Sequence, residues 1–259
     1  MSAWKAQPYT QLQASDHRNF AYDHLAANIC EESGYRVLGG PYAGMQYFGP
    51  PGVPIIDQSP ITKILGSFEE EIHRWIEGLI SRNLQHFVHI GGGPGYHAIG
   101  IAMWLPESTA IVFDTLVASR KAVRWLADLN NVKGRLQLRG FCDAEGLLDV
   151  DIRNSMFFVD CGGAEFTLLD PKIHPDLSFA PMLVELHDYF DERITPRLRS
   201  TFSASHRIEI VSAVERDPSR YSLLEKYDAD ERTMAVDEKR KRTRTGKPQT
   251  WALLTPYSS

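Results

Sequence analysis

The sequence predicts an α/β fold of the Rossmann-like kind: a seven-stranded, mostly parallel sheet with helices on both faces. Three observations predict it. Short apolar runs alternate with amphipathic stretches from about residue 61 onward, which is the pattern of strands joined by crossover helices. The first such run, HFVHI, leads directly into GGGPG, a turn with four glycines in five residues. The length of 259 residues, with 43% hydrophobic and 24% charged residues, suits one sizeable domain with a full core.

Each element follows from the local pattern. Residues 1–60 read as an irregular, partly helical N-terminal extension that packs on the core, and residues 61–259 as the main domain. GGPYAGMQYFGPPGVPIIDQSP is too rich in Gly and Pro to be a long helix. In SFEEEIHRWIEGLI, Phe68, Ile72, Trp75, Ile76, Leu79 and Ile80 recur at helical spacing. Ser67 with Glu70 three residues later predicts a capping box at the start of that helix. HFVHI reads as the first strand, GYHAIGIAMWL as the helix after the glycine turn, and AIVFDT as the second strand. ASRKAVRWLADLNN is predicted to bury Ala118, Ala122, Trp125, Leu126 and Leu129. RLQLRG, SMFFVDC, PMLVELHD, HRIEIVSA and TWALLTP supply strands three to seven. Trp75, Trp104 and Trp125 are expected to be core or half-buried packing residues. No internal repeat is present.

Bulk properties narrow the function classes. A formal net charge of −5 argues against nucleic acid bound across the whole surface. The three cysteines, Cys30, Cys142 and Cys161, are far apart and form no CxxC pair, poor material for a disulfide framework or a zinc knuckle. No apolar run approaches the roughly 18 residues of a membrane helix, and MSAWKAQPYTQLQ lacks the basic-then-apolar order of a secretory leader. The expectation is a cytoplasmic protein with neither a membrane nor a nucleic-acid partner; composition leaves its oligomeric state open.

In open parallel sheets, ligands bind beyond the carboxyl ends of the strands where strand order reverses. The glycine turn stands at such an end. Gly91, Gly93 and Gly95 have GxGxG spacing, and small residues there let a ligand approach the backbone and the N–H groups of the next helix. The dinucleotide fingerprint would require a glycine at position 96, which is Tyr96, and no Tyr-x-x-x-Lys pair follows the fourth or fifth strand. A nicotinamide-dependent oxidoreductase is therefore a disfavoured alternative, whereas GxGxG is the spacing of S-adenosylmethionine-dependent methyltransferases. Asp114, with Thr115 beside it, ends the second strand and can accept hydrogen bonds from both ribose hydroxyls or cap the next helix. Asp143 follows the third strand, where it can reach an adenine amino group or serve a solvated turn.

FVDCGGAEFTLLDP followed by PMLVELHD resembles the FkbM-type methyltransferases, which often carry a DxEGAE-like segment and then an IEIH- or VELH-like strand. LGSFEEEIHRWI resembles that family's GTYE-like helix start, VHIGGGPGYHAIGIA its first motif, and LADLNNV its LxxNN-like helix end. The resemblance runs from about Gly39 to Pro256. It implies the class I methyltransferase fold, S-adenosylmethionine as cofactor, and methyl transfer usually to a hydroxyl oxygen. By position, Gly91, Gly93, Gly95, Asp114 and Asp143 match the cofactor residues, while Leu65, Gly66 and Glu69 match a segment that covers the cofactor. Two departures stand out. His89 replaces an acid that helps to order the glycine turn and the cofactor's methionine end; an imidazole can still exchange one hydrogen bond there. Gly162 replaces an acid of DxEGAE, with Asp160 and Glu165 retained.

Methyl transfer from a sulfonium mainly needs alignment of donor and acceptor, and an alcohol acceptor also needs a base. Asp160 ends the fourth strand, and Glu185 and His187, two apart on the fifth, share a face. His187 is the favoured base, with Asp160 orienting it or binding the acceptor. Alternatively, His187 is a hydrogen-bonded strand-end residue and Glu185 pairs with an Arg. A divalent metal held by Asp160, Glu185 and His187 would polarise a hydroxyl, and is the less favoured third reading. His97 could touch the methionine end or the acceptor, or lie on the surface. His86 and His89, three apart on a strand, face opposite ways and make no metal pair. The basic run Lys239, Arg240, Lys241, Arg242, Arg244 and Lys247 could bind phosphate, a carboxylated substrate or an acidic partner, or be a solvated loop. The expected function is S-adenosylmethionine-dependent O-methylation of a small molecule or glycan. A binding module without turnover is the alternative that His89 and Gly162 keep open.

Overall fold

Seven apolar runs rich in Val, Ile, Leu and Phe form the strands of one sheet: β1 (His86–Ile90), β2 (Thr109–Phe113), β3 (Leu136–Arg139), β4 (Ser155–Val159), β5 (Met182–Leu186), β6 (His206–Ser212) and β7 (Thr250–Pro256). The computed structural model describes residues 17–49, 57, 59–82, 84–238, 246 and 248–257. Strand order is β3-β2-β1-β4-β5-β7-β6. All neighbouring pairs are parallel except those made by β7, which is antiparallel to β5 and to β6. Ile90 pairs with both Phe113 and Val159, so β1, β2 and β4 end level with one another. The chain winds outward in opposite directions from β1 and β4, and their shared carboxyl end is the switch point.

Strand alternation assigns the two faces. Phe87, Val112, Phe158, Leu183 and Trp251 face one core, shared with helices α1 (His17–Glu32), α2 (Pro60–Leu65), α3 (His73–Ile80), α4 (Tyr96–Trp104), α5 (Val117–Leu129) and α8 (Ala229–Val236). Val88, Ile111, Phe157, Val184 and Leu254 face the other, against α6 (Glu165–Leu168), α7 (Ile194–Phe202) and short 3-10 turns. Leu25, Ala26, Ile29 and Cys30 of α1 are buried in the first core. Both faces of every central strand are covered, which explains why β4 and β5 are apolar at every position but Ser155 and Glu185.

Several local expectations are corrected. The helix predicted from Ser67 starts later. Glu69 is left-handed (φ 54°), a 3-10 turn covers Glu70–Ile72, and α3 begins at His73. Ser67 Oγ donates to the Thr62 carbonyl, so no capping box forms. The apolar stripe survives the break, with Ile72, Trp75, Ile76 and Leu79 buried. On α5 the buried residues are Ser119, Ala122, Val123, Leu126 and Ala127, while the expected Ala118, Trp125 and Leu129 are half-buried. Trp104 is 58% exposed; in the last turn of α4 it lies over the 40–42 turn, its indole N–H donating to the Pro41 carbonyl. Between β3 and β4 the chain uses only 3-10 turns, at Glu145–Leu147 and Ile152–Asn154. The basic run at 239–247 lies outside the described residues. Among the described residues, no helix is long and apolar enough to cross a membrane.

Candidate active site

At the switch point, β1 and β4 come so close that only a residue without a side chain fits between them. A Cβ on Gly91 (φ +86°) would lie 1.6 Å from the Asp160 carbonyl oxygen. Two residues on, Gly93 (φ +51°) has nothing within 4 Å of where its Cβ would be, so its backbone opens onto free space. Gly95 also has positive φ and packs on Val123 of α5. The amides of Gly91 and Gly92 donate to the Phe113 carbonyl at 2.9 and 3.0 Å, and that of Gly93 donates to Asp114 Oδ2 at 2.8 Å. The turn borders a cavity of about 340 Å³, lined also by Asp114, Thr115, Phe141, Cys142, Asp160 and Cys161.

Asp114 is 9% exposed. Besides Gly93, it accepts from the Leu116 amide at the N-terminus of α5, at 2.7 Å. It therefore ties the glycine turn to α5 at the cavity wall, and each carboxylate oxygen keeps a further lone pair for a ligand hydroxyl. Thr115 is exposed beside it and lines the same cavity. Asp143 is exposed and accepts from the Gly146 amide at 2.8 Å; at its level the cavity wall is made by Phe141 and Cys142.

The other predicted cofactor residues lie behind the turn. His89, 3% exposed, is packed among Phe158 (ring centroids 4.7 Å apart), Phe87 (5.8 Å) and His97 (6.4 Å). Its Nδ1 has no hydrogen-bond partner among the described residues. Burial, and then the neighbouring His97, push its pKa well below the usual value, so it is neutral. Glu69 is buried and bonded through Oε2 to His97 Nε2 at 2.7 Å, and His97 Nδ1 meets the Tyr42 hydroxyl at 3.0 Å. His97, 7% exposed, is thus a core residue and not a surface one. Gly66 ends α2 in a left-handed conformation and lines a separate cavity of about 290 Å³ with Gly39 and Gly40. Arg216 fastens this region from the far side of the sequence: it donates to the Ser67 carbonyl, Glu71 Oε2 and Glu238 Oε1. Glu238 Oε1 in turn accepts the amide of the left-handed Glu69.

Asp160, Glu185 and His187 converge. His187 Nε2 lies 3.5 Å from Asp160 Oδ1 and 3.4 Å from Glu185 Oε2. Its Nδ1 is hydrogen-bonded to Glu165 Oε1 at 2.5 Å, and the Glu165 side chain is fully buried. Burial opposes charge on His187. The hydrogen bond to Glu165 and the negative charges of Asp160 and Glu165 overcome that, and hold its pKa above the ordinary value. Asp160 lines the glycine-turn cavity and is the most accessible of the three carboxylates, its side chain 38% exposed. The arrangement is an imidazole with one nitrogen fixed by a buried acid and the other near two further acids, of which Asp160 stands at the cavity wall. The predicted residues did not include Glu165 in this role. The available signal was its place as the retained acid of DCGGAE, which puts it in the first turn of α6. One ligand atom from each of Asp160, Glu185 and His187 falls within 4.8 Å of the others, so the same side chains could hold a divalent cation.

No protein-family model matches the sequence, and no curated protein does. Solved structures do match in shape. The METTL16 MTase domain aligns over 92% of this chain and 80% of its own, with TM-score 0.50 and 12% identity. An O-methyltransferase from Bacillus cereus in complex with SAH aligns over 95% and 93%, with TM-score 0.49 and 11% identity. The O-methyltransferase TomG from Streptomyces achromogenes, in complex with SAM, aligns over 95% and 92%, with TM-score 0.46 and 13% identity. The seven-stranded order with β7 inserted antiparallel is the Rossmann-like class I methyltransferase fold.

Proposed function

We propose that this chain is an S-adenosylmethionine-dependent O-methyltransferase of the FkbM type, acting in the cytoplasm on a hydroxyl of a small molecule or glycan. The observation that carries the reading is His187, anchored by Glu165 and facing Asp160 at the wall of the glycine-turn cavity. The residues present fit the cofactor: Gly93 exposes backbone to the cavity, and Asp114 offers a partly satisfied carboxylate beside it. Bound S-adenosylmethionine supplies an electrophilic methyl group on a sulfonium. Gly91, Gly93, Asp114 and Thr115 hold the nucleoside end, and Phe141 and Cys142 enclose it.

His187 Nε2 would take the acceptor's hydroxyl proton as the methyl group passed from sulfur to oxygen, with the S–C bond breaking and S-adenosylhomocysteine as the leaving group. Glu165 keeps the ring oriented and stabilises the imidazolium that results, the part a buried acid plays behind a catalytic histidine. Asp160, the more exposed acid, receives a hydrogen bond from the acceptor, and its charge raises the basicity of the imidazole, while the buried Glu185 carboxylate lies 3.4 Å from Nε2. Calorimetric titration with S-adenosylmethionine, S-adenosylhomocysteine and NADPH tests the cofactor assignment. Binding of the first two and not the third is expected, and binding of NADPH alone would overturn it. The clustering of the three ligand atoms supports a second reading, a divalent cation polarising the hydroxyl. Activity that disappears with EDTA and returns with Mg²⁺ would put that reading in place of the general base.

A further inference from the structure

The acceptor side of His187 has a chemical character of its own. Two turns face each other across this histidine: Asp160–Gly163 after β4, and His187–Asp191 after β5. The first has no side chain at its centre. Gly162 is exposed, with nothing within 4 Å of a would-be Cβ, and a Cβ on Gly163 would be 3.9 Å from the Phe190 side chain. The second presents aromatic rings. Phe190 is 58% exposed, lies 6.0 Å from the His187 ring with planes only 18° apart, and packs on Tyr189 at 4.4 Å.

Both aspartates of this second turn are engaged within the protein. Asp188 accepts from the Thr195 amide and hydroxyl at 3.0 and 2.5 Å. Asp191 is paired with Arg193, at 2.8 and 2.7 Å. Sugar hydroxyls need several unspent donors and acceptors around them, since each buried polar group left unpaired weakens binding. This ledge offers one acceptor group, the Asp160 carboxylate, beside a bare glycine backbone and an exposed phenyl ring. Phe141, 71% exposed, and Leu116, 52% exposed, extend the apolar rim around the neighbouring cavity.

On the methyltransferase reading, on which this step rests, we propose that the acceptor is a flat, ring-bearing hydroxyl compound, phenolic or polycyclic, with its ring packed against Phe190 over the Gly162–Gly163 turn. Phe190 is then a residue that determines acceptor specificity. Aromatic pairs pack with centroids about 4.5–7 Å apart. The His187–Phe190 spacing lies in that range, and the exposed part of the phenyl ring is left for an acceptor ring.

The test uses the full chain loaded with S-adenosylhomocysteine, whose binding is first measured by calorimetry. Saturation-transfer NMR then compares 2-naphthol with methyl β-glucoside. We expect 2-naphthol to bind and the glucoside not to. Phe190→Ala should weaken 2-naphthol binding by about fivefold to tenfold, Phe190→Tyr should retain it, and both should bind S-adenosylhomocysteine like the parent. Binding of the glucoside in preference to 2-naphthol, or 2-naphthol binding indifferent to Phe190→Ala, overturns the proposal while leaving the cofactor reading intact. Absence of S-adenosylhomocysteine binding overturns the underlying reading itself. Because Phe190 is exposed, its replacement leaves the core untouched.

Discussion

Two histidines at the carboxyl ends of parallel strands are almost equally hidden, His187 at 5% and His89 at 3% exposure, and their surroundings drive them in opposite directions. His187 has Glu165, Asp160 and Glu185 around its two nitrogens, and its pKa is raised. His89 has Phe87, Phe158 and His97, and its pKa falls. Burial opposes the imidazolium in both. Partners, not depth, decide the outcome. The same contrast separates the two sides of the glycine turn. Asp114 faces a cavity with acceptor capacity in reserve, whereas Glu69 and His97 form a sealed chain with Tyr42. His89 lies on that sealed side, packed among rings.

The sharpest way to break this comparison is His187→Ala. It should lower kcat by about 10²–10⁴ with S-adenosylhomocysteine affinity unchanged, and full turnover would remove His187 from the chemistry. His89→Asp places a carboxylate among aromatic rings with no cation described beside it. It should cost about 3 kcal/mol in urea unfolding at neutral pH, whereas His89→Leu, which removes the unpartnered Nδ1, should stay within about 1 kcal/mol of the parent. Equal stability of His89→Asp would show that position 89 reaches a partner after all. Asp114→Ala should weaken S-adenosylhomocysteine binding by about tenfold to hundredfold, since it removes a ligand acceptor and unties Gly93; unchanged calorimetric affinity would place the nucleoside elsewhere.

The smallest expected effect is on pH dependence. The general base must be neutral, so kcat/KM should rise with pH through a limb above the ordinary histidine value of about 6.5. Glu165→Gln removes the charge that raises this pKa and should move the limb to lower pH; an unmoved limb would mean that another group titrates. The stability linkage has the matching sign. A pKa higher in the folded state than in the unfolded one stabilises folding below the unfolded value, and that contribution fades as pH rises through the folded value.

Legibility in the sequence followed the range of the forces involved. The strands and the buried stripes of α3 and α5 were readable because alternation and helical spacing are local properties. The late start of α3 was not. Ser67 and Glu70 have the residue types of a capping box, but Glu69 between them is left-handed and its amide is bonded to Glu238, 169 residues away. His97 gave no sign of burial, because its partners Tyr42 and Glu69 arrive from the N-terminal third of the chain. Asp143 shows a local case: this strand-end acid accepts from the Gly146 amide of its own turn.

By itself, the sequence determined the alternation of strands and helices, a glycine turn beyond β1, and acids and a histidine at the ends of β2, β4 and β5. These depend on residue type and short-range spacing, and the carboxyl ends of parallel strands necessarily gather on one edge of the sheet. Only the tertiary structure decided which neighbours those groups acquire. Glu165 meets His187 across 22 residues and Arg216 meets Glu71 across 145. His89 turns to the aromatic core because strand parity sends alternate residues to opposite faces, and the neighbours on each face come from elements far away in the chain. Contacts of that kind have no period to read, yet they fix which histidine can carry a proton.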